Sequence, residues 1–175
     1  ADLAYTILAT FDSLAYHLYY IKYKDNVYDS WVYHEYDNRQ VPKMNATITT
    51  LNSIHLQPND TMEMEYDFGS PTVFKITFLE SRDLEKGRGR HYPYIIDGAG
   101  RGMIDDVSGD NLKTIVDDID KKGFSDHDYT PGYERTMKYD YRKFDIKRDN
   151  ILLKGNVSDI KNGYELITET TPIGK

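Results

Sequence analysis

Residues 62–68 read Met-Glu-Met-Glu-Tyr-Asp-Phe, with apolar and acidic side chains in strict alternation. A period of two places Met62, Met64, Tyr66 and Phe68 on one face of a β-strand and Glu63, Glu65 and Asp67 on the other. Gly69-Ser70-Pro71 follows as a turn, and residues 73–79 form a second run dense in β-branched and aromatic side chains. The pair predicts a β-hairpin with one face turned to a core. Something must cover that face. Leu3, Ile7, Leu8 and Phe11 recur at helical spacing behind Asp2, a residue type favoured at N-caps, and predict a first helix sharing one core with Tyr66 and Phe68.

Other elements build around this unit. Residues 16–24 are rich in aromatic and β-branched side chains, the pair Asp25-Asn26 favours a turn, and Val27-Tyr28 resumes the strand pattern. Residues 29–43 are polar and read mostly as loop, whereas 47–56 fit a short strand or one helical turn. Residues 92–96 form a further extended apolar run. Gly98, Gly100, Gly102 and Gly109 fall within residues 97–109, which permits unusual backbone angles and close approach of other groups. Leu112, Ile115, Val116 and Ile119 then repeat at i, i+3, i+4 and i+7, with Lys121 and Lys122 in the last turn and Gly123 as the stop. Beyond Phe124 the pattern weakens, and residues 151–153 and 164–167 read as short strands or helical turns docked on the core. The expected architecture is a single α+β domain, 1–175. It has a mainly antiparallel curved sheet, a central hairpin and two or more flanking helices. Its core spans about 2–123, and a C-terminal extension covers about 129–175.

Composition removes several classes of function. The chain has no cysteine, so thiolate metal sites, disulfides and cysteine nucleophiles are excluded. Its net charge of −7 argues against a general coat for nucleic acid, which requires an excess of Lys and Arg. No apolar run is long enough to cross a bilayer and no secretory leader pattern heads the sequence, so the expectation is a soluble cytoplasmic protein without membrane contact. Eight of the 16 tyrosines fall between Tyr5 and Tyr36, which fits a tyrosine-rich sheet or a stacking surface for a ligand.

Three segments in order carry a family resemblance. Phe11-Asp12 with His17-Leu18-Tyr19, then Glu65-Tyr66-Asp67-Phe68-Gly69, and finally Tyr92-Pro93 with Gly98, Asp105-Asp106 and Gly109 resemble the signatures of the plasmid Ri open-reading-frame-three-like family. Relatives of that family include the passenger protein called TnpR in some insertion elements. The resemblance covers about residues 2–123. It implies a β-strand ahead of the first helix, N-terminal to Ala1, and it brings no settled activity and no assigned catalytic residues. Family members commonly carry two cysteines where this chain has Ile95 and Gly102, a Pro-Pro pair where it has Met103-Ile104, and a tryptophan after the hairpin glycine. Any role of those residues is absent here.

The candidate polar site comprises His17, Glu65, Asp67, Asp105 and Asp106. An imidazole beside a carboxylate suits a general base, and two carboxylates on one strand face, such as Glu65 and Asp67, suit a shared proton or a hard cation. The same residues fit a half-buried histidine, a solvated strand face, and acids placed to favour a helix N-terminus. Residues 98–102 suit a backbone nest for an anion or a structural glycine turn, and match neither a dinucleotide fingerprint nor a P-loop. His34-Glu35-Tyr36-Asp37-Asn38 lacks the second histidine of a zincin motif, and Asp126-His127-Asp128 reads as a solvated loop.

Charge segregates later in the chain. Residues 105–128 hold eight Asp against three Lys, whereas residues 135–148 hold six basic side chains against two acidic. Lys138, Tyr139, Tyr141, Arg142 and Lys143, together with Arg88 and Arg90 in a second basic loop, suit nucleic-acid or partner binding. The same segment suits pairing with the acidic helix of its own molecule. Two functional expectations follow. One is a non-enzymatic binding module for a protein or nucleic-acid partner, linked to mobile elements. The alternative to that first reading is a metal-assisted hydrolase using clustered Asp, Glu and His. No cofactor motif is present. The two are separated by whether the polar groups converge in one place.

Overall fold

The fold is taken from a computed structural model, which describes residues 1–30, 43–83, 92–123 and 140–170. Among the described residues, three α-helices and five strands form an α+β layout: α1 (Asp2–Thr10), β1 (Tyr19–Tyr23), β2 (Asn26–Asp29), β3 (Lys43–Asn45), β4 (Thr61–Tyr66), β5 (Thr72–Thr77), α2 (Gly109–Lys122) and α3 (Ile146–Thr170). One sheet holds all five strands in the order β3-β2-β1-β4-β5. Its pairs are antiparallel except β2 with β3. The hairpin predicted from the alternation is β4–β5, paired from Thr61↔Thr77 to Tyr66↔Thr72. β1–β2 is the second hairpin, and Lys24 takes the left-handed conformation in its turn.

One face of the sheet meets α1 and α3. Tyr19, Ile21 and Tyr23 of β1, Met62, Met64 and Tyr66 of β4, and Phe74 of β5 are buried there. α1 covers them with Ala4, Tyr5 and Leu8, a stripe that keeps Leu8 from the expected Leu3, Ile7, Leu8 and Phe11 but is rotated away from the other three. Leu3 and Ile7 are only partly buried, and Phe11, just past the helix, is exposed with an edge contact to Phe74. Asp2 lies inside the first turn, where its charge favours the helix dipole, and makes no cap hydrogen bond.

Phe68 departs from the alternation. It is 45% exposed and stacks on Tyr20, outside the shared core in which Met62, Met64 and Tyr66 lie. Strand pairing stops at Tyr66, and Asp67 adopts a φ of 60°, so the two-residue period that assigned faces no longer applies beyond that point.

α2 matches its predicted pattern, with Ile115 and Ile119 buried among Ile104, Val107, Leu112, Val116 and Tyr141. Ser108 caps it by accepting a hydrogen bond from the Asn111 N–H, and Gly123 ends it at a φ of 79°. The two short apolar runs near the C-terminus belong to one helix, α3. Leu153, Ile160 and Tyr164 recur at i, i+7 and i+11 and enter the main core, so packing against α1 and the sheet continues well past residue 123. The ring of Tyr164 stacks on Tyr5 at 5.2 Å and meets Tyr19 edge-on at 5.5 Å. The tyrosines of the sheet are thus structural: Tyr19, Tyr20, Tyr23, Tyr28 and Tyr66 are all buried.

Candidate metal centre

The polar residues gather where β1 begins and β4 ends. β4 delivers Tyr66 into the core, and the left-handed turn at Asp67 then swings its carboxylate away from the face that carries Glu63 and Glu65. Asp67 Oδ1 accepts hydrogen bonds from the Gly69 and Ser70 N–H groups at 3.0 and 3.1 Å, an arrangement that fixes the turn. Its other oxygen, Oδ2, lies 3.7 Å from His17 Nε2. Asp67 is only 5% exposed.

The glycine-rich stretch supplies the third side. Met103 donates its N–H to the Phe11 carbonyl at 2.8 Å, which ties this loop to the end of α1. A Cβ on Gly102 would stand 2.0 Å from the Phe11 carbonyl oxygen, so only glycine permits that approach. Three residues later Asp105 is buried and accepts three hydrogen bonds: from Ser13 Oγ at 2.7 Å, from the Leu14 N–H at 2.8 Å and from Tyr66 Oη at 3.0 Å. Each donor lies close in sequence to a member of the cluster. Ser13 and Leu14 precede His17, Tyr66 precedes Asp67, and Asp105 itself precedes Asp106. One carboxylate therefore laces together all three segments.

Asp106, at a φ of 62°, then places Oδ1 2.8 Å from His17 Nε2. His17, Asp67 and Asp106 each present one ligand atom, and the three atoms lie within 4.8 Å of one another. Asp12 and Ala15 also take positive φ, so four left-handed residues surround this junction. Three are aspartates, which tolerate that region, while Ala15 has no side-chain means of doing so. Backbone strain of this kind persists only where the surroundings over-determine it, and it concentrates at functional sites.

Two further groups hold the histidine. Its ring packs edge-on against Tyr66 at 5.7 Å, and its carbonyl accepts a hydrogen bond from Tyr164 Oη of α3. Burial, followed by the nearby Asp105 charge among other effects, pushes the Tyr66 phenol well above its ordinary value. Burial likewise raises Tyr164. Both phenols are thereby kept as neutral donors. Ser13, Tyr66 and Tyr164 were not among the expected site residues. Tyr164 stands 147 residues from His17, and no sequence pattern links the two.

Glu65 stays apart from the centre, correcting the expectation that it and Asp67 share a strand face. It accepts a hydrogen bond from Tyr20 Oη on the opposite side of the sheet. Of the basic and aromatic candidates, Tyr141 and Arg142 both bind Asp120 of α2 within the same molecule. That bond raises the Tyr141 phenol and lowers the Asp120 carboxyl. Lys143 lies 3.9 Å from Asp140. Arg88, Arg90, Lys138 and Tyr139 lie outside the described residues, as do residues 34–38 and 126–128.

The three segments that meet at this centre are those that carry the family resemblance, and the family model for the plasmid pRiA4b ORF-3-like protein matches residues 1–150. The chain belongs to that family. No curated protein and no solved structure matches it. In this pRiA4b ORF-3-like chain the shared signatures are accordingly the parts that build one polar centre: the His17 segment, the end of the hairpin and the loop holding Asp105-Asp106. Among the described residues, no helix is long and apolar enough to cross a membrane.

Proposed function

We propose that this chain binds a divalent metal ion through His17, Asp67 and Asp106 and acts as a metal-assisted hydrolase. The observation that supports this reading is the buried Asp67, whose Oδ1 is spent on the turn while Oδ2 faces the His17 and Asp106 ligand atoms. Ligand atoms around a tetrahedral ion with bonds of about 2.0–2.1 Å stand roughly 3.3 Å apart, and the 2.8 and 3.7 Å separations bracket that spacing. One imidazole nitrogen with two carboxylate oxygens favours Zn²⁺ or Mn²⁺ over Ca²⁺, which takes an all-oxygen shell. Three protein ligands leave room for water, and an ion so held lowers the pKa of that water towards neutrality and makes it a nucleophile. Asp105, Tyr66 and Tyr164 serve as positioning residues for the ligands.

The test is a titration of Zn²⁺, Mn²⁺ and Mg²⁺ into wild type and an Asp67→Asn, Asp106→Asn double variant, followed by thermal unfolding. At a hundredfold excess over Kd, binding to the folded state adds about 2.7 kcal/mol, which in a domain of this size raises Tm by roughly 5–10 °C. The double variant should lose most of that rise. Flat responses in both proteins reject the metal centre. A metal response without metal-dependent cleavage of activated phosphate or carboxylate esters rejects the hydrolase and keeps the centre. Recognition of a protein or nucleic-acid partner, with the link to mobile elements, stands as a weaker reading, because the sheet's tyrosines are buried and Tyr141 and Arg142 already bind Asp120.

A further inference from the structure

α2 is packed apart from the main core. Among the described residues, Ile115 and Ile119 are its buried side chains, and they gather with Ile104, Val107 and Tyr141 in a cluster that shares no member with the core of the sheet, α1 and α3. Its far end is fastened at the surface, where Asp120 accepts hydrogen bonds from Tyr141 Oη and Arg142, and Lys122 pairs with Asp118 at 3.0 Å. Exposed pairs of this kind contribute little. Two buried isoleucines and a surface clasp place α2 among the elements that open locally, well before the molecule unfolds.

The turn that α2 packs on is also the turn that carries Asp106. The Val107 N–H closes it on the Ile104 carbonyl at 3.2 Å, and its four side chains go to three places. Ile104 and Val107 enter the α2 cluster, Asp105 accepts from Ser13, Leu14 and Tyr66, and Asp106 meets His17 Nε2 at 2.8 Å. His17 and Asp67 stand on segments built onto the sheet. The Gly109 N–H, in the first residue of α2, reaches the Pro71 carbonyl at 3.3 Å, next to the turn that Asp67 fixes. A displacement of α2 therefore acts on Asp106 through Ile104 and Val107. An ion joining Asp106 to His17 and Asp67 acts on α2 through the same two side chains.

We propose, resting on the metal reading above, that metal binding and the docking of α2 are coupled: the ion clamps α2 onto the body of the molecule, and an undocked α2 weakens the site. Such coupling is reciprocal, so the factor by which saturating metal suppresses α2 opening is the factor by which complete undocking weakens metal affinity, about fivefold or more. The test follows amide hydrogen exchange of the whole chain with and without saturating Zn²⁺ or Mn²⁺, and measures the affinity of each ion by calorimetry in wild type, Ile119→Ala and Met64→Ala. Because α2 opens locally, its amides respond to the ion only if docking and binding are linked. Residues 112–122 should exchange about fivefold or more slowly in the bound protein, and Ile119→Ala should weaken binding by a similar factor. Met64→Ala, a truncation of the same kind in the main core, should leave affinity within about twofold. Tyr141→Phe, a mild change at the exposed clasp, keeps the test open if Ile119→Ala does not fold: α2 exchange should quicken and affinity should fall with it. An ion that binds wild type without slowing exchange at 112–122, or that binds the α2 variants as tightly as wild type, overturns the coupling and leaves the metal reading standing. Failure of both ions to bind wild type overturns both.

Discussion

On the inner face of the sheet, Tyr19, Met64 and Tyr66 are fully buried, and the surrounding contacts are almost all apolar or aromatic. One residue beyond Tyr66 the same strand delivers Asp67 to a junction where carboxylates, an imidazole and hydroxyls hold one another. The two regions share Tyr66, whose ring belongs to the core and whose hydroxyl belongs to Asp105. They are specified differently. The core tolerates any set of apolar side chains of suitable volume on the right face, whereas the junction depends on particular backbone angles and on donors from three distant segments. A change in backbone conformation over one residue, at Asp67, separates them.

The largest expected effect breaks the junction through its backbone. Gly102→Ala places a methyl group 2.0 Å from the Phe11 carbonyl oxygen, and neither backbone segment can yield without losing the Met103–Phe11 hydrogen bond. The expected loss is about 4 kcal/mol or more, measured by chemical denaturation, together with loss of any metal-induced rise in Tm. A variant as stable as wild type would show that the loop is not anchored on α1. Next comes the core. Met64→Ala, at a site with no exposure, should cost about 3 kcal/mol while leaving the metal response of the remaining folded protein intact.

Alkaline pH acts where the two regions meet. Tyr19, Tyr66 and Tyr164 have phenols held above the ordinary value, chiefly by burial. The unfolded chain ionises these groups near pH 10 and the folded chain does not, so their contribution is complete below pH 10 and declines above it. Each phenol is expected to remove up to about 1.4 kcal/mol of stability per pH unit in that range. Tyrosinate absorbance that appears together with loss of circular dichroism checks this, and free ionisation in a folded protein would contradict it.

The legible parts of this chain are those governed by a repeating period. Met62 to Tyr66 and Leu112 to Ile119 each form a face through local spacing, and both elements stand where that spacing puts them. α3 was not legible because its core contacts are sparse, at Leu153, Ile160 and Tyr164, and because Gly155 and Gly163 interrupt it. For the centre, His17, Asp67 and the Asp105-Asp106 pair were visible as candidates from residue type and family signature. Their division of labour was not, since Asp105 as a buried acceptor and Asp106 as an exposed partner of His17 differ through one left-handed residue. Asp67 departs from the face it would share with Glu65 for the same reason as Phe68: the alternation does not hold past Tyr66, the last paired residue of β4.

The smallest expected effect tests that boundary. Had the two-residue period continued, Phe68 would fill the core beside Tyr66, and truncating it to alanine would cost about 3–5 kcal/mol. In the structure Phe68 is 45% exposed, and its main contact is a stacked ring, Tyr20, at a centroid distance of 5.5 Å. An aromatic pair of this kind contributes about 0.5–1.5 kcal/mol beyond the area it covers, and that area is modest here. Phe68→Ala should therefore lower stability by no more than about 1.5 kcal/mol, less than Met64→Ala within β4. The double variant Tyr20→Phe, Phe68→Ala separates the stack from the Tyr20–Glu65 hydrogen bond, because Tyr20→Phe keeps the ring and removes the hydroxyl. A Phe68→Ala cost equal to that of Met64→Ala would place Phe68 in the core. Asp67 could not then turn away from the alternation, and its carboxylate would leave the candidate centre for the solvent face.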